Sequence, residues 1–309
     1  MTSARALEVL DAGLLTTVQD RGRFGYAAWG VPAAGALDEE ALRIANRLVG
    51  NREEDAALEI TLIGPKLTAV GDVDVAVVGG AFGPAPGRVL RLSDGDVVSF
   101  HDTAPAGSAR AILAVAGGID VPSVLGSRST CFSARFGGFQ GRRLQNGDEL
   151  SVGEPRGAPR SDAAPALFVP GGEDLILRVL PGPQEHLFPD ESRQRFYGSP
   201  YRLLPESNRI GFRLSGPPVP ALAQAAAMAS EGTAPGSVQI TADGQPIVLL
   251  RERPTTGGYP KIATVAGADL PRLARARPGQ IMRFRKTTID EARRLLAERE
   301  EVICRWAES

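Results

Sequence analysis

Four short segments concentrate glycines together with amide, hydroxyl and charged side chains, and each points to recognition of an anion or an amide. The most informative is Pro254-Thr-Thr-Gly-Gly-Tyr-Pro-Lys261, which leads into an apolar run from Ile262 to Val265. The hydroxyls of Thr255 and Thr256, the adjacent Gly257 and Gly258, the amphiphilic Tyr259 and the ammonium of Lys261 are crowded into seven positions. Consecutive glycines let backbone N–H groups approach an anion closely, as in a phosphate nest, and Lys261 adds positive charge. The Gly-Lys-Ser/Thr ending of a Walker loop is absent, and a plain turn with an exposed lysine is the structural alternative.

The second segment, Glu206 to Arg213, carries Asn208 and sets Arg209 and Arg213 four residues apart. On a strand that spacing shares a face, so both guanidiniums could clamp one carboxylate or phosphate; a solvated basic edge is the alternative. The third runs from Ser230 to Pro246 with two carboxylates, Glu231 and Asp243, and two amides, Gln239 and Gln245. If residues 238–240 form a strand, Gln239 points away from its neighbours and toward a pocket, while Asp243-Gly244 has the chemistry of a hairpin turn. The fourth, Gln19-Asp-Arg-Gly22, presents Gln19, Asp20 and Arg21 on a glycine-hinged loop, or simply uses Asp20 and Arg21 to stabilise that turn.

The elements that must position these groups are mostly short. Asp38 reads as the N-cap of a helix running to about Val49, with Leu37, Ala41, Ile44, Ala45 and Leu48 as its apolar stripe and Gly50 beyond its end. The tract from Thr16 to Tyr26 is too rich in glycine to predict a regular element. β-type runs are expected over residues 6–10, 58–63, 73–78, 89–92, 97–100 and 111–115, and again over 175–180, 201–204, 210–214, 247–250, 262–265 and 280–284. Strands this short, punctuated by Gly, Pro, Asp and Ser, predict curled sheets or barrels whose closure hides their edges. Thr288-Ile-Asp-Glu291 matches a capping box for a helix to about Arg299, and the Ala-rich run 221–229 is helical in composition but preceded by Pro217, Pro218 and Pro220.

With 309 residues the chain exceeds what one hydrophobic core usually organises, so two lobes are expected. The Pro-, Ala- and Gly-rich stretch 153–170 is the linker candidate, which places an N-terminal β-barrel-like subdomain at 1–155 and a second subdomain with a C-terminal helix at 171–309. Lys plus Arg (35) nearly cancels Asp plus Glu (36), so no surplus charge is available for a nucleic-acid backbone. No apolar run is long enough to span a bilayer and the first residues lack a secretory core, so neither membrane nor export is expected and the cytoplasm is the expected location. His101 and His186 are the only histidines, which excludes sites built on several imidazoles. Cys131 and Cys304 have no metal-ligand spacing and read as packing residues.

Taken in order, these segments resemble the family that includes the C-type component of 5-oxoprolinase, the second allophanate-hydrolase component and its homologues, and the carboxyltransferase domain of biotin-dependent urea carboxylase. The likeness rests on Thr16-Thr-Val-Gln-Asp-Arg-Gly22, Gly30-Val-Pro32 with Gly35-Ala-Leu-Asp38, Ala45-Asn-Arg-Leu-Val-Gly-Asn51 and Leu58-Glu-Ile-Thr61. It continues through Leu113-Ala-Val-Ala-Gly-Gly-Ile-Asp-Val-Pro122, Leu125-Gly-Ser-Arg-Ser-Thr130, Gly138-Phe-Gln-Gly-Arg142 and Pro181-Gly-Pro-Gln184, and then Ser207-Asn-Arg209, Ser230-Glu-Gly232, Asp243 to Val248 and Thr255 to Ile262. The resemblance implies a mainly β protein with a few helices, built as two cyclophilin-like β-barrel subdomains. It also implies a subunit that works with 5-oxoprolinase A-like and B-like partners to open 5-oxoproline to L-glutamate at the expense of ATP, with Mg2+ as a candidate metal. Two other functions within the family are carboxyl transfer from carboxybiotin to urea, which needs biotin on a partner, and non-catalytic antagonism of a histidine-kinase inhibitor.

Under the hydrolase reading, Lys261, Arg209 and the Gly257-Gly258 backbone stabilise an anion, and Glu231 or Asp243 acts as base or metal ligand. Gln19, Asp20 and Gln239 orient the substrate, with Asn208, Thr255, Thr256 and Tyr259 around it. The chain departs from the family pattern where Leu249-Leu-Arg-Glu-Arg-Pro-Thr-Thr-Gly-Gly258 carries Glu252 in place of an Asp and Pro254 in place of a Gln.

Overall fold

The computed structural model describes residues 5–101, 107–165 and 174–308, and the last five positions of the expected linker, 166–170, lie outside them. Contacts divide the chain into one unit comprising Met1–Phe24, Ala33–Pro170 and Ile303–Ser309 and another comprising Gly25–Pro32 and Gly171–Val302.

The first unit contains β1 (Ala6–Asp11), β2 (Leu15–Gln19), α1 (Glu39–Leu48), β3 (Ala57–Thr61), β4 (Lys66–Val70), β5 (Val73–Val78), β6 (Val89–Leu92), β7 (Val97–Ser99), β8 (Arg110–Val115) and β9 (Glu149–Ser151). They form a five-stranded antiparallel sheet in the order β2-β3-β8-β5-β6 and a four-stranded one in the order β7-β4-β1-β9. The central strands of the larger sheet read as continuous apolar runs because both faces are covered. Ala111, Leu113 and Val115 of β8 face the core shared with Leu7, Val9, Leu67 and Leu150 of the smaller sheet, while Ile112 and Ala114 face Ala41, Ile44, Ala45 and Leu48 of α1. Burying side chains such as Ile44 and Leu48 stabilises by about 1.5–3 kcal/mol each.

α1 follows the sequence pattern closely. Asp38 Oδ1 accepts the Ala41 N–H at 3.0 Å, a cap that contributes about 1 kcal/mol. Gly50, at φ +75°, ends the helix in the left-handed region, and a Cβ there would lie 2.4 Å from the Gly157 carbonyl oxygen. The described part of the expected linker is held rather than free, through Arg160 N to Leu48 O (2.7 Å) and Ala164 N to Gly87 O (2.7 Å). One expectation is corrected in this unit, and two strands, β4 and β9, appear that the sequence reading did not include. Residues 15–19 form a regular strand, because β-branched Thr16, Thr17 and Val18 pair with β3 and the glycines begin only at Gly22. Residues 66–70 form a strand that their mixed polarity did not reveal.

The second unit contains β10 (Asp174–Pro181), α2 (Asp190–Gly198), β11 (Tyr201–Leu203), β12 (Gly211–Ser215), β13 (Glu231–Gly232), β14 (Ser237–Ile240), β15 (Pro246–Leu249), β16 (Thr256–Gly257), β17 (Lys261–Val265), α3 (Leu270–Ala274), β18 (Ile281–Lys286) and the start of α4 (Ile289–Glu308). Seven strands close into a barrel in the order β10-β17-β14-β15-β12-β11-β18, sealed by the parallel pairing of β10 with β18. Leu175, Leu177 and Val179 alternate inward along β10, and Phe196 of α2 stacks on Phe284 of β18 with ring centroids 4.6 Å apart. A separate two-stranded ribbon pairs β13 with β16.

α4 begins where the capping box predicts, with Thr288 Oγ1 accepting the Glu291 N–H at 3.2 Å, but it extends to Glu308. The extension is stabilised within the first unit, where Ile303 is buried against α1 and Trp306 donates to the Ala163 carbonyl at 3.0 Å. The Ala-rich run yields only a 3-10 turn at Ala223–Ala227, consistent with the prolines before it.

Candidate functional site

In the second unit, backbone pairing draws two of the chemically rich segments together. β14 and β17 are neighbours in the barrel with Gln239 opposite Lys261, and the ribbon places Glu231 opposite Gly257. The Lys261 side chain is 4% exposed, and its ammonium donates to Glu231 Oε2 at 3.3 Å. Gln184, from the turn after β10, donates its amide to the same oxygen at 2.7 Å and receives the Lys261 N–H on its own Oε1 at 3.2 Å. Glu231 is half-exposed. One of its oxygens is therefore fixed by a cation and an amide, while the other has no partner among the described residues.

Gln239 is buried and donates to the Tyr259 carbonyl at 3.3 Å. A Cβ on Gly257 would lie 2.7 Å from Gln239 Nε2, so glycine at 257 makes room for that amide. Neither Gly257 nor Gly258 adopts positive φ, and Gly257 lies in an extended ladder. The alternating nest expected from the sequence is not formed, because strand pairing fixes this backbone as extended. Thr256 pairs with Gly232, the Thr255 carbonyl accepts the Thr233 N–H at 3.0 Å, and Tyr259 is 46% exposed.

Other expected site residues sit in structural contacts. Arg209 precedes β12 and is buried, with Nε donating to the buried Glu252 carboxylate at 2.6 Å, whereas Arg213 lies within β12 and is exposed. The two arginines do not share a strand face, so the two-guanidinium clamp is corrected to a buried Arg209–Glu252 ion pair. Asn208 accepts the Ile210 N–H at 2.8 Å and shapes the turn. Asp243 stands in the exposed β14–β15 hairpin, where the Thr241 hydroxyl, followed by the Gln245 N–H, holds its carboxyl below the usual range despite slight desolvation. No described hydrogen bond or ion pair joins Asp243 to Lys261 or Glu231.

In the first unit, Gln19 is fully buried at the end of β2, with its amide donating to Thr17 Oγ1 (3.0 Å) and the Thr130 carbonyl (3.1 Å). Asp20 accepts from the Ser127 hydroxyl (2.7 Å), the Ser129 hydroxyl, the Gly22 N–H (2.7 Å) and the Arg128 N–H (2.5 Å). Its carboxylate thereby ties the Gln19–Gly22 turn to the Leu125–Thr130 tract. A polar cleft of about 250 Å³ lies in the same unit, lined by Gly117, Gly118, Asp120, Arg128 and Arg156 among others.

Sequence reasoning missed two residues in the second unit. Gln184 belongs to the Pro181-Gly-Pro-Gln184 motif, but its role depends on contacts with residues 47 and 77 positions away. Arg253 hides in a charged run, Arg251-Glu-Arg253, and only the fold shows it half-buried with carbonyls as its hydrogen-bond acceptors.

For ATP, the second unit offers no nest at Gly257-Gly258, and the Lys261 ammonium is already engaged by Glu231. These residues do not fit a triphosphate cradle.

Comparison with known proteins agrees with the architecture. The chain is 39% identical to the C-type component of 5-oxoprolinase from Escherichia coli (strain K12), covering 93% of each, and 35% identical to its Haemophilus influenzae namesake, covering 95% of each. It superposes on the crystal structure of Kluyveromyces lactis urea carboxylase with a TM-score of 0.90 at 33% identity, covering 98% of this chain and 29% of that one. The K. lactis urea amidolyase structure matches at a TM-score of 0.89 and 32% identity, covering 98% of this chain but only 20% of the longer protein. Residues 29–286 match the family model for the carboxyltransferase domain, subdomains A and B. The chain belongs to the carboxyltransferase domain family, subdomains A and B.

Proposed function

We propose that this chain is the C-type component of an ATP-dependent 5-oxoprolinase, which opens 5-oxoproline to L-glutamate together with A-like and B-like partners. The observation that carries this reading is coverage: the likeness to the bacterial 5-oxoprolinase component runs over 93% of both chains, whereas the urea amidolyase of Lachancea kluyveri is matched over 18% of its length. The Lys261–Glu231–Gln184–Gln239 cluster supports it. A lactam presents one carbonyl acceptor and one N–H donor, and the cluster presents amide donors, an ammonium and a carboxylate oxygen free to accept.

In this scheme Glu231 Oε1 accepts the lactam N–H or draws a proton from the attacking water, and Lys261 holds the carboxylate in position. Gln184 ties the Glu231 carboxylate to the Lys261 backbone, since it bonds the Lys261 N–H and the Glu231 side chain at once. The described residues of this second unit do not cradle the nucleotide, so any ATP-dependent activation of the unreactive lactam oxygen would have to be supplied elsewhere in the assembled enzyme. Co-expression with A-like and B-like partners should give ADP release and glutamate formation dependent on 5-oxoproline, with little turnover by the chain alone. An assembled complex that ignores 5-oxoproline would sink the reading.

A second reading, carboxyl transfer from a biotin-bearing partner, is favoured by the family model and the urea carboxylase superposition. Urea-dependent consumption of carboxybiotin by the complex distinguishes it.

A further inference from the structure

Arg253, in the second unit, is a half-buried cation that meets no carboxylate among the described residues. Its Nη1 donates to the Leu250 carbonyl at 3.4 Å, its Nη2 to the Thr233 carbonyl at 3.2 Å, and the buried Nε has no partner. Desolvation by burial, together with nearby Arg251, lowers the guanidinium from its ordinary value. A partly buried cation served only by neutral carbonyls, with one donor unused, is costly unless an anion completes it.

The group stands beside the amide-binding cluster. Thr233 continues the strand that carries Glu231, its N–H donates to the Thr255 carbonyl at 3.0 Å, and its hydroxyl donates to the Pro254 carbonyl at 2.5 Å. Thr233 and Gln239 both border the space over Gly257, where a Cβ would lie 3.4 Å from the Thr233 methyl and 2.7 Å from the Gln239 amide. Glu231 and Thr233 lie two residue steps apart along extended chain, about 7 Å. The neighbouring Glu252 is locked to Arg209 and pins the start of this loop.

Building on the 5-oxoprolinase reading, we propose that Arg253 is the binding residue for the substrate carboxylate. The site then takes a small cyclic amide that bears a carboxylate: the amide lies at Lys261, Glu231, Gln184 and Gln239, and the carboxylate lies at Arg253. A guanidinium matches a carboxylate with two parallel N–H donors, which lysine cannot reproduce.

The test compares wild type, Arg253→Gln and Arg253→Lys, each checked for native circular dichroism and melting temperature. Binding of 5-oxoproline, acetate and the neutral lactam 2-pyrrolidinone to the full chain is followed by calorimetry and ligand-observed NMR, and turnover is followed in the co-expressed complex. The expected result is carboxylate binding that weakens roughly 10- to 100-fold in both variants, with KM for 5-oxoproline rising more than kcat falls and 2-pyrrolidinone binding unchanged. Equal loss for the neutral lactam, unchanged affinity for carboxylates, no carboxylate binding by wild type, or a preference for inorganic phosphate would each overturn the inference. Carboxylates bound through Arg253 in a complex that never turns over 5-oxoproline would defeat the functional reading and leave the inference standing.

Discussion

Removing the Glu252 carboxylate should destabilise the second unit severely, and removing both partners of its ion pair should not. Arg209 and Glu252 have side chains 4% and 1% exposed and meet at 2.6 Å, with the Glu252 N–H also donating to the Arg209 carbonyl at 3.0 Å. Glu252→Leu leaves a guanidinium in the interior without this carboxylate, a change that costs about 3–5 kcal/mol when a buried pair is broken from one side. At about 2–4 °C per kcal/mol for a domain of this size, melting falls by roughly 6–20 °C. The double variant Arg209→Met/Glu252→Leu replaces the pair with apolar groups of similar volume and should recover most of that loss, to within about 1–2 kcal/mol of wild type. Urea denaturation of the four proteins in a double-mutant cycle measures the coupling directly. A single variant that loses less than about 1 kcal/mol, or a double variant whose loss equals the sum of the two singles, would refute the claim that this contact is a desolvated ion pair.

Lys261→Met in the assembled complex is expected to lower turnover by about two orders of magnitude while the components still co-elute, and unchanged turnover removes Lys261 from the scheme. Gly257→Ala puts a methyl 2.7 Å from Gln239 Nε2, so the Gln239–Tyr259 bond should break and substrate affinity fall with little change in overall melting; wild-type kinetics would show that this space is not needed. Asp269 is desolvated by full burial, yet hydrogen bonds from Arg178, its backbone N–H included, with Arg272 close by, hold its carboxyl below the usual range. A depressed folded pKa contributes stability above the unfolded carboxylate pKa that is lost as pH falls through the folded value. Acid titration of stability should therefore flatten in Asp269→Asn relative to wild type, and parallel curves would contradict the assignment.

Local features were legible in neighbouring residues. Asp38 and Gly50 bracket α1, Thr288 opens α4, Asp243-Gly244 makes a hairpin, and most strands fall within a residue or two of their apolar runs. These depend on capping chemistry, turn residues and period-two burial, each of which is written over a few consecutive positions. Which polar groups meet was settled by the folded chain instead. Asp20 is occupied by Ser127, Ser129 and the Arg128 N–H, more than 100 positions away. Arg209 is paired with Glu252 rather than sharing an anion with Arg213, and Gln184 meets Lys261 and Glu231 because β10 pairs with β17 while β13 pairs with β16, just ahead of β17. Strand order and register bring together residues tens of positions apart, and a one-residue slip sends every side chain to the opposite face, so no local pattern encodes such a meeting.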